Sequence, residues 1–252
     1  MFLLSRRWVG LALFVAILAT VCIRLGFWQY HRLEERLASN EITQTHLQAD
    51  PVPLSETLAP DQDVTDDDEW MRVTAEGRYD TAHQVTVRYK TRDGQPGVNV
   101  VTPLITESGD AILIDRGWMQ TNNRGEKPDR VPAPPTGTVT VTGWLRPDSQ
   151  ADDQAVTPHG GQVRAIASGG ITSHVPYDLY HGYISLRDSN PKPHTSLVAE
   201  SKPDLGQGPH LFYAIQWWFF AALAVFGFGY FAYSEARDRK APAAQAKSTS
   251  SA

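Results

Sequence analysis

"HLFYAIQWWFFAALAVFGFGYFAY", residues 210–233, carries no charged side chain from Leu211 to Tyr233. A run of that length can cross a bilayer with some tilt. At the other end of the chain, Trp8 to Ile23 is also uncharged, and continuing past Arg24 to Trp28 gives about the 20 residues a hydrocarbon core requires. Two crossings therefore frame the chain. Arg6 and Arg7 precede the first, while Arg237, Arg239 and Lys240 follow the second. Basic flanks are retained inside, which puts both termini in the cytoplasm and, for a bacterial source, the chain in the plasma membrane. The expected division is a cytoplasmic N-terminus (1–7), a first helix (8–28), and an extracytoplasmic linker with a short helical start (29–69). A β-rich extracytoplasmic domain (70–209), a second helix (210–233) and a disordered cytoplasmic tail (234–252) complete it.

A cleaved signal peptide is the rival reading of the first run, but "ILATVCIRLGFW" (17–28) offers no A-x-A site, so the helix is read as retained. Val21 is bulkier than the residue usual before a lipoprotein cysteine. Cys22 is the only cysteine, which excludes an internal disulfide and a two-cysteine copper site. Between the crossings, residues 30–209 hold 16 Lys and Arg against 26 Asp and Glu. That acidic balance argues against nucleic acid and leaves the lipid bilayer as the first partner.

The lead-in "PVPLSETLAPDQDVTDDDEW" (51–70) has Pro breaks and acidic clusters, and reads as extended and solvated rather than core. Short runs rich in Val, Thr, Ile and aromatics follow at 70–79, 83–89, 98–105, 111–119, 138–146 and 183–188. "DGQPG", "ESGD" and "PAPPTG" separate some of them as turn signals. Alternation in "TVTVTGW" (138–144) implies one buried and one wet face. Only "ITSHVPYDLY" (171–180) offers a helix candidate. The expected fold is a membrane protein in which two transmembrane α-helices flank a mainly antiparallel β domain, barrel- or sandwich-like.

Nothing in that domain carries a catalytic signature: there is no G-x-S-x-G, no H-E-x-x-H and no phosphate-binding glycine loop. His174 and His181 are read as decoration rather than a metal site. In "DRGW" (115–118), Asp115 and Arg116 are read as a structural ion pair, and Trp118 as a core or inner-face anchor. An enzyme is not expected.

The chemistry of interest gathers where the two crossings meet the outer surface. Trp28 and Tyr30 suit the interface. Arg24 lies one turn deeper, on the face of Trp28 and of His31 or Arg32, and either snorkels to the headgroups or serves a function. Pro209 suits a first helical position, which puts His210 in the first turn. The positive end of a helix favours the uncharged imidazole, whose lone pair can reach a metal. Trp217 returns to nearly the same face roughly 10 Å deeper, with Tyr213 and Ala214 between and Ala221 below. Such an imidazole flanked by flat aromatics could hold a planar macrocycle through its metal. An interfacial aromatic belt with small-residue packing explains the same pattern.

"LGFWQYHR" (25–32), "VNVVTPLITESGDAILIDRGWM" (98–119), "TGWLRP" (142–147) and "HLFYAIQWW" (210–218) together resemble the surfeit-locus family of cytochrome c oxidase assembly factors. The order and the two-crossing layout match over almost the whole chain. The resemblance implies a non-enzymatic role in biogenesis of the catalytic subunit of a heme–copper oxidase, linked to heme a insertion and to the heme a synthesis enzymes. It implies that His210 is the candidate ligand of heme iron and Trp217 a nearby aromatic. Tyr213 would border the macrocycle, Arg24 and Arg32 would meet its propionates, and Trp28, Gln29, Arg116, Gly117 and Trp118 would dock a partner or brace the fold. Two departures stand out. Gly208 and Pro209 replace the polar Asn residues usual before the histidine, and "EER" (34–36) replaces a Lys often found after "WQ". A scaffold that docks the oxidase subunit without touching heme, and a membrane-anchored extracytoplasmic enzyme, remain the alternatives.

Overall fold

The computed structural model describes residues 5–122, 128, 130–195 and 197–248. In chain order the elements are α1 (Arg6–Gln48), β1 (Val52–Pro53), α2 (Leu54–Thr57), β2 (Arg72–Tyr79), β3 (Val85–Arg92), β4 (Gln95–Thr106) and β5 (Ala111–Gln120). They continue with β6 (Val139–Arg146), α3 (Asp153–Val156), β7 (Gln162–Val163), α4 (Ser168–Thr172), β8 (Leu179–Asn190) and α5 (His210–Ser248). All six expected strands are present. The chain forms two compact units, a helical one from residues up to Asn40 and from Leu205 onward, and a β unit over Glu41–Asp204.

The β unit is a barrel closed by one strand that changes partners. β2 runs antiparallel to β6 over Arg72–Gly77, then to β4 over Gly77–Tyr79. The ring β2–β6–β8–β5–β4 thus returns to its start. Gly77 is where the switch happens, and a Cβ there would run into the Ile105 carbonyl, so the corner requires glycine. Pairing is antiparallel around the ring except at β5–β8, which is parallel. β3 extends the sheet beyond β4 and carries β7, while β1 adds to β2 in parallel.

β5 explains why its sequence shows no alternation. Ile112 and Ile114 point into the barrel with Val73, Leu104, Val141 and Ile184. Ala111 and Leu113 point the other way, into a second core with Val87, Val101, Val163 and Ile171. A strand covered on both faces reads as one apolar run.

Four expectations are corrected. The helical start of 29–69 is not short, because α1 continues to Gln48, and His46 Nδ1–H in its last turn donates to the Glu69 carbonyl (2.9 Å). The acidic lead-in is not wholly solvated, since Leu54, Leu58 and Val64 enter the barrel core. Its Pro and Asp residues hide a widely spaced apolar triplet. Residues 171–180 form no helix beyond α4, and β8 already begins at Leu179. The tail expected to be disordered is helical through Ser248, while residues 1–4 and 249–252 lie outside the described residues.

Two helices, over Arg6–Gln48 and His210–Arg239, are long and apolar enough to cross a membrane. Within the helical unit, α1 presents buried or half-buried residues at Ala12, Val15, Ala19, Cys22, Gly26, Gln29, Leu33, Arg36 and Asn40. The steps between these residues alternate between three and four, the spacing of a left-handed helix seam, with Leu25 half-buried beside the row. Ala214, Trp217, Ala221, Ala224 and Phe228 continue the same spacing on α5. Trp8 meets Phe228 and Phe27 meets Trp218, so the helices run antiparallel. Small residues at the seam let the two backbones approach closely.

Candidate functional site

His210 opens α5 and is half-buried. Its Nδ1–H donates to Gln29 Oε1 on α1 (2.9 Å). That bond fixes the tautomer and leaves the Nε2 lone pair as the exposed chemical function, as in metal-bound imidazoles, whose second nitrogen is held by an acceptor. The turn before it is shaped by Gly208, whose φ of +66° lies in the left-handed region that favours glycine. Arg36 Nε–H donates to the Gly206 carbonyl (2.6 Å) and Asn40 Nδ2–H to the Leu205 carbonyl (2.9 Å). α1 therefore grips the entry to α5 through Gln29, Arg36 and Asn40 in turn.

The aromatics are arranged otherwise than the stripe suggests. Trp217 lies inside the helix seam against Ala19, Cys22 and Ala221, so it packs helices together instead of bordering an open face beneath His210. Trp218, which the stripe passes over, lies on Gly26, where a Cβ would run into its indole. The signal for it was the glycine itself, one seam step before Gln29. Tyr213 is exposed. Arg24 is exposed too. Arg32 donates to Glu35 (2.9 Å) and rests 6.0 Å from the ring centre of Trp28.

Among the described residues, no three His, Cys, Asp or Glu side chains converge as a metal cage. One tautomer-fixed imidazole suits an iron whose other ligands come from a macrocycle. Heme fits His210 and Gln29 on that ground. It does not fit Trp217 as a stacking wall.

In the β unit, "DRGW" is split across the sheet. Asp115 shares the face of Leu113 and Arg116 that of Ile114, so the two do not form the expected ion pair. Asp115 is buried and accepts from Asn99 Nδ2 (2.6 Å) and from the Gly117 N–H (3.0 Å). Burial pushes its carboxyl up to about 6, against the pull of those two hydrogen bonds. Arg116 is 6% exposed. It donates to Gln84 Oε1 (3.1 Å) and to the Pro132 carbonyl (2.6 Å), and its guanidinium stands 5.8 Å from the Tyr79 ring. Burial lowers the Arg116 pKa and raises that of Tyr79 to about 12. Gly117 has a φ of +121°, and a Cβ on it would meet the Val198 carbonyl at 2.7 Å. Trp118 is not core: it is half-buried, lies over Gly97, donates Nε1–H to the Lys90 carbonyl (2.7 Å) and forms a backbone bridge with Val198.

The sequence reading missed the arginines that hold residues 198–201 against the barrel. Arg92 donates to the Val198 and Ala199 carbonyls and to Ser201 Oγ. Arg187 donates to the Glu200 carbonyl (2.6 Å) while its guanidinium lies 4.3 Å over Trp144. Arg146 bridges Glu69 and Glu200 and stacks 3.8 Å over Trp70. Paired Trp and Arg on neighbouring strands, as in "GWLR" and "SLRD", were the available signal.

A family model described as the SURF1 family matches residues 16–222. An uncharacterised SURF1-like protein of Mycobacterium bovis is 34% identical over 244 residues, covering 95% of this chain and 88% of its own. A cytochrome oxidase assembly protein of Saccharomyces cerevisiae, SHY1, is 30% identical over 96 residues, 38% of this chain and 24% of its own. Surfeit locus protein 1 of Arabidopsis thaliana is 28% identical over 123 residues, 45% of this chain and 34% of its own.

Proposed function

This chain belongs to the SURF1 family, and from that membership we propose that it is a non-enzymatic assembly factor for a heme–copper oxidase. It handles heme a on the way to the catalytic subunit, with the heme a synthesis enzymes as suppliers. The yeast relative, a cytochrome oxidase assembly protein, supports the oxidase as the target. The observation that supports heme is the hydrogen bond from His210 to Gln29, which leaves Nε2 as the free ligand atom. Both apolar helices cross the plasma membrane, both termini are cytoplasmic and the β unit is extracytoplasmic, in line with the basic flanks.

Heme, when bound, would supply an iron that takes an imidazole nitrogen as ligand, and His210 with Gln29 behind it would be the residues that hold it. His210 provides the nitrogen, Gln29 holds the proton on the far side of the ring, and the Arg36 and Asn40 contacts keep the entry to α5 in place. Arg24, exposed on the same helix, would approach carboxylates at the periphery, and Arg32 would do so by exchanging its exposed Glu35 partner.

The test is the absorption spectrum of protein produced together with the heme a synthesis enzymes. His210→Ala abolishes or shifts the heme band while the protein stays in the membrane at normal amount. An unchanged band with full oxidase assembly overturns the heme reading in favour of a scaffold that docks the apo-subunit.

A further inference from the structure

Arg116 is the last inward residue of β5, following Ile112 and Ile114 in period two, and so sits at one mouth of the barrel. Barrel mouths are recurrent ligand sites. A guanidinium has five N–H donors. Among the described residues, the Arg116 partners are a side-chain amide and a backbone carbonyl, both neutral. A cation this buried ordinarily has an anionic partner.

The cavity beside it holds about 240 Å³ and is lined by Arg116, Arg187, Lys192, Asp188, Leu186 and Leu197, among others. Asp188 is 3.8 Å from Lys192, which leaves two arginines over. At roughly 30 Å³ per water, the cavity has room for about one amino-acid side chain. A whole cofactor does not fit. Leu186 and Leu197 line the same cavity as Arg116 and Arg187, and the bond from Arg187 to the Glu200 carbonyl holds that side chain in place.

We propose that this barrel mouth is a binding pocket for a carboxylate on a short apolar stem, presented by a polypeptide partner: an acidic side chain seated on Arg116 and Arg187. The planar fork of a guanidinium matches a carboxylate in two parallel bonds. The pocket lies wholly in the β unit and does not depend on heme.

The probe is butyrate, titrated into the full chain in micelles with the arginine side chains labelled for NMR. Saturable shifts of the Arg116 and Arg187 N–H resonances are expected. Arg187→Gln combined with Lys192→Gln should raise the dissociation constant at least tenfold. Arg116→Lys should weaken binding as well, and an unchanged far-UV spectrum will show which variants fold. Butyramide or inorganic phosphate binding as tightly as butyrate, or unchanged binding by the double variant, overturns the carboxylate site. A capped tetrapeptide with one central Glu should displace butyrate and its Gln counterpart should not. Failure of the Glu peptide overturns the polypeptide occupant.

Discussion

Replacing Asp115 with asparagine should remove one pH-dependent part of the stability of the β unit. The buried carboxyl titrates near 6 in the folded chain against an ordinary 3.8. The neutral form is therefore the one the fold favours, and between those two values the folded state binds more protons than the unfolded state. Stability contributed by this group is fully present below 3.8 and lost as the pH rises through 6. A gap of roughly two pH units is worth about 3 kcal/mol. That is a large share of the ~5–15 kcal/mol by which a domain is folded. The substituted side chain keeps an oxygen for the Gly117 N–H, and Asn99 can turn its amide to accept from the new amide nitrogen. Any residual cost of the swap is independent of pH. The assay is guanidinium unfolding of the full chain in detergent, followed by tryptophan fluorescence at pH 4 and pH 7. The stability of the variant minus that of the wild type should rise by about 2 kcal/mol between the two, because at pH 4 the unfolded carboxyl is already partly ionised. A difference that stays constant, or falls, refutes the assignment of a buried, readily protonated carboxyl at position 115.

Gln29→Leu should release the proton from His210 Nδ1, so that ¹⁵N NMR of the ring shows mixed tautomers in place of one, without loss of membrane-bound protein; a single unchanged tautomer would mean that Gln29 does not set it. Gly26→Ala and Gly10→Ala should act in opposite directions. Both gain helix propensity, up to about 1 kcal/mol, but only the Cβ at 26 strikes Trp218 while the one at 10 meets nothing. Overpacking costs about 1–3 kcal/mol, so Gly26→Ala should lower the thermal midpoint and alter Trp218 emission while Gly10→Ala leaves both unharmed or improved.

The β strands were legible because their enrichment in β-branched and aromatic residues and the turn residues between them are local properties. Barrel closure was not, because it rests on one strand serving two partners, and the only local trace is Gly77 at the corner. The length of α1 was misjudged for a related reason. Charged residues such as Glu34, Glu35 and Arg36 end an apolar run without ending a helix, and hydropathy marks where lipid-compatible sequence stops, not where helical backbone does. Leu54, Leu58 and Val64 lie too far apart for any period, yet all three reach the barrel core once the chain folds back.

The helix seam shows the limit of reasoning on one helix at a time. The i to i+7 relation between His210 and Trp217 is real, but it says only that both lie on one stripe. Which stripe faces the partner is decided by α1, whose three–four alternation of small and polar residues from Ala12 to Asn40 is written in the sequence. Laid antiparallel, that alternation puts Ala19 and Cys22 against Ala221 and Trp217, Gly26 against Trp218, and Gln29 against His210. The stripe is therefore the buried one, apolar along most of its length and polar at the end that carries Gln29 and His210. A histidine at that end has one nitrogen committed to the opposite helix and one left over. The packing that draws Trp217 into the helix seam also commits His210 Nδ1 to Gln29, and Nε2 is the ring nitrogen left without a partner among the described residues.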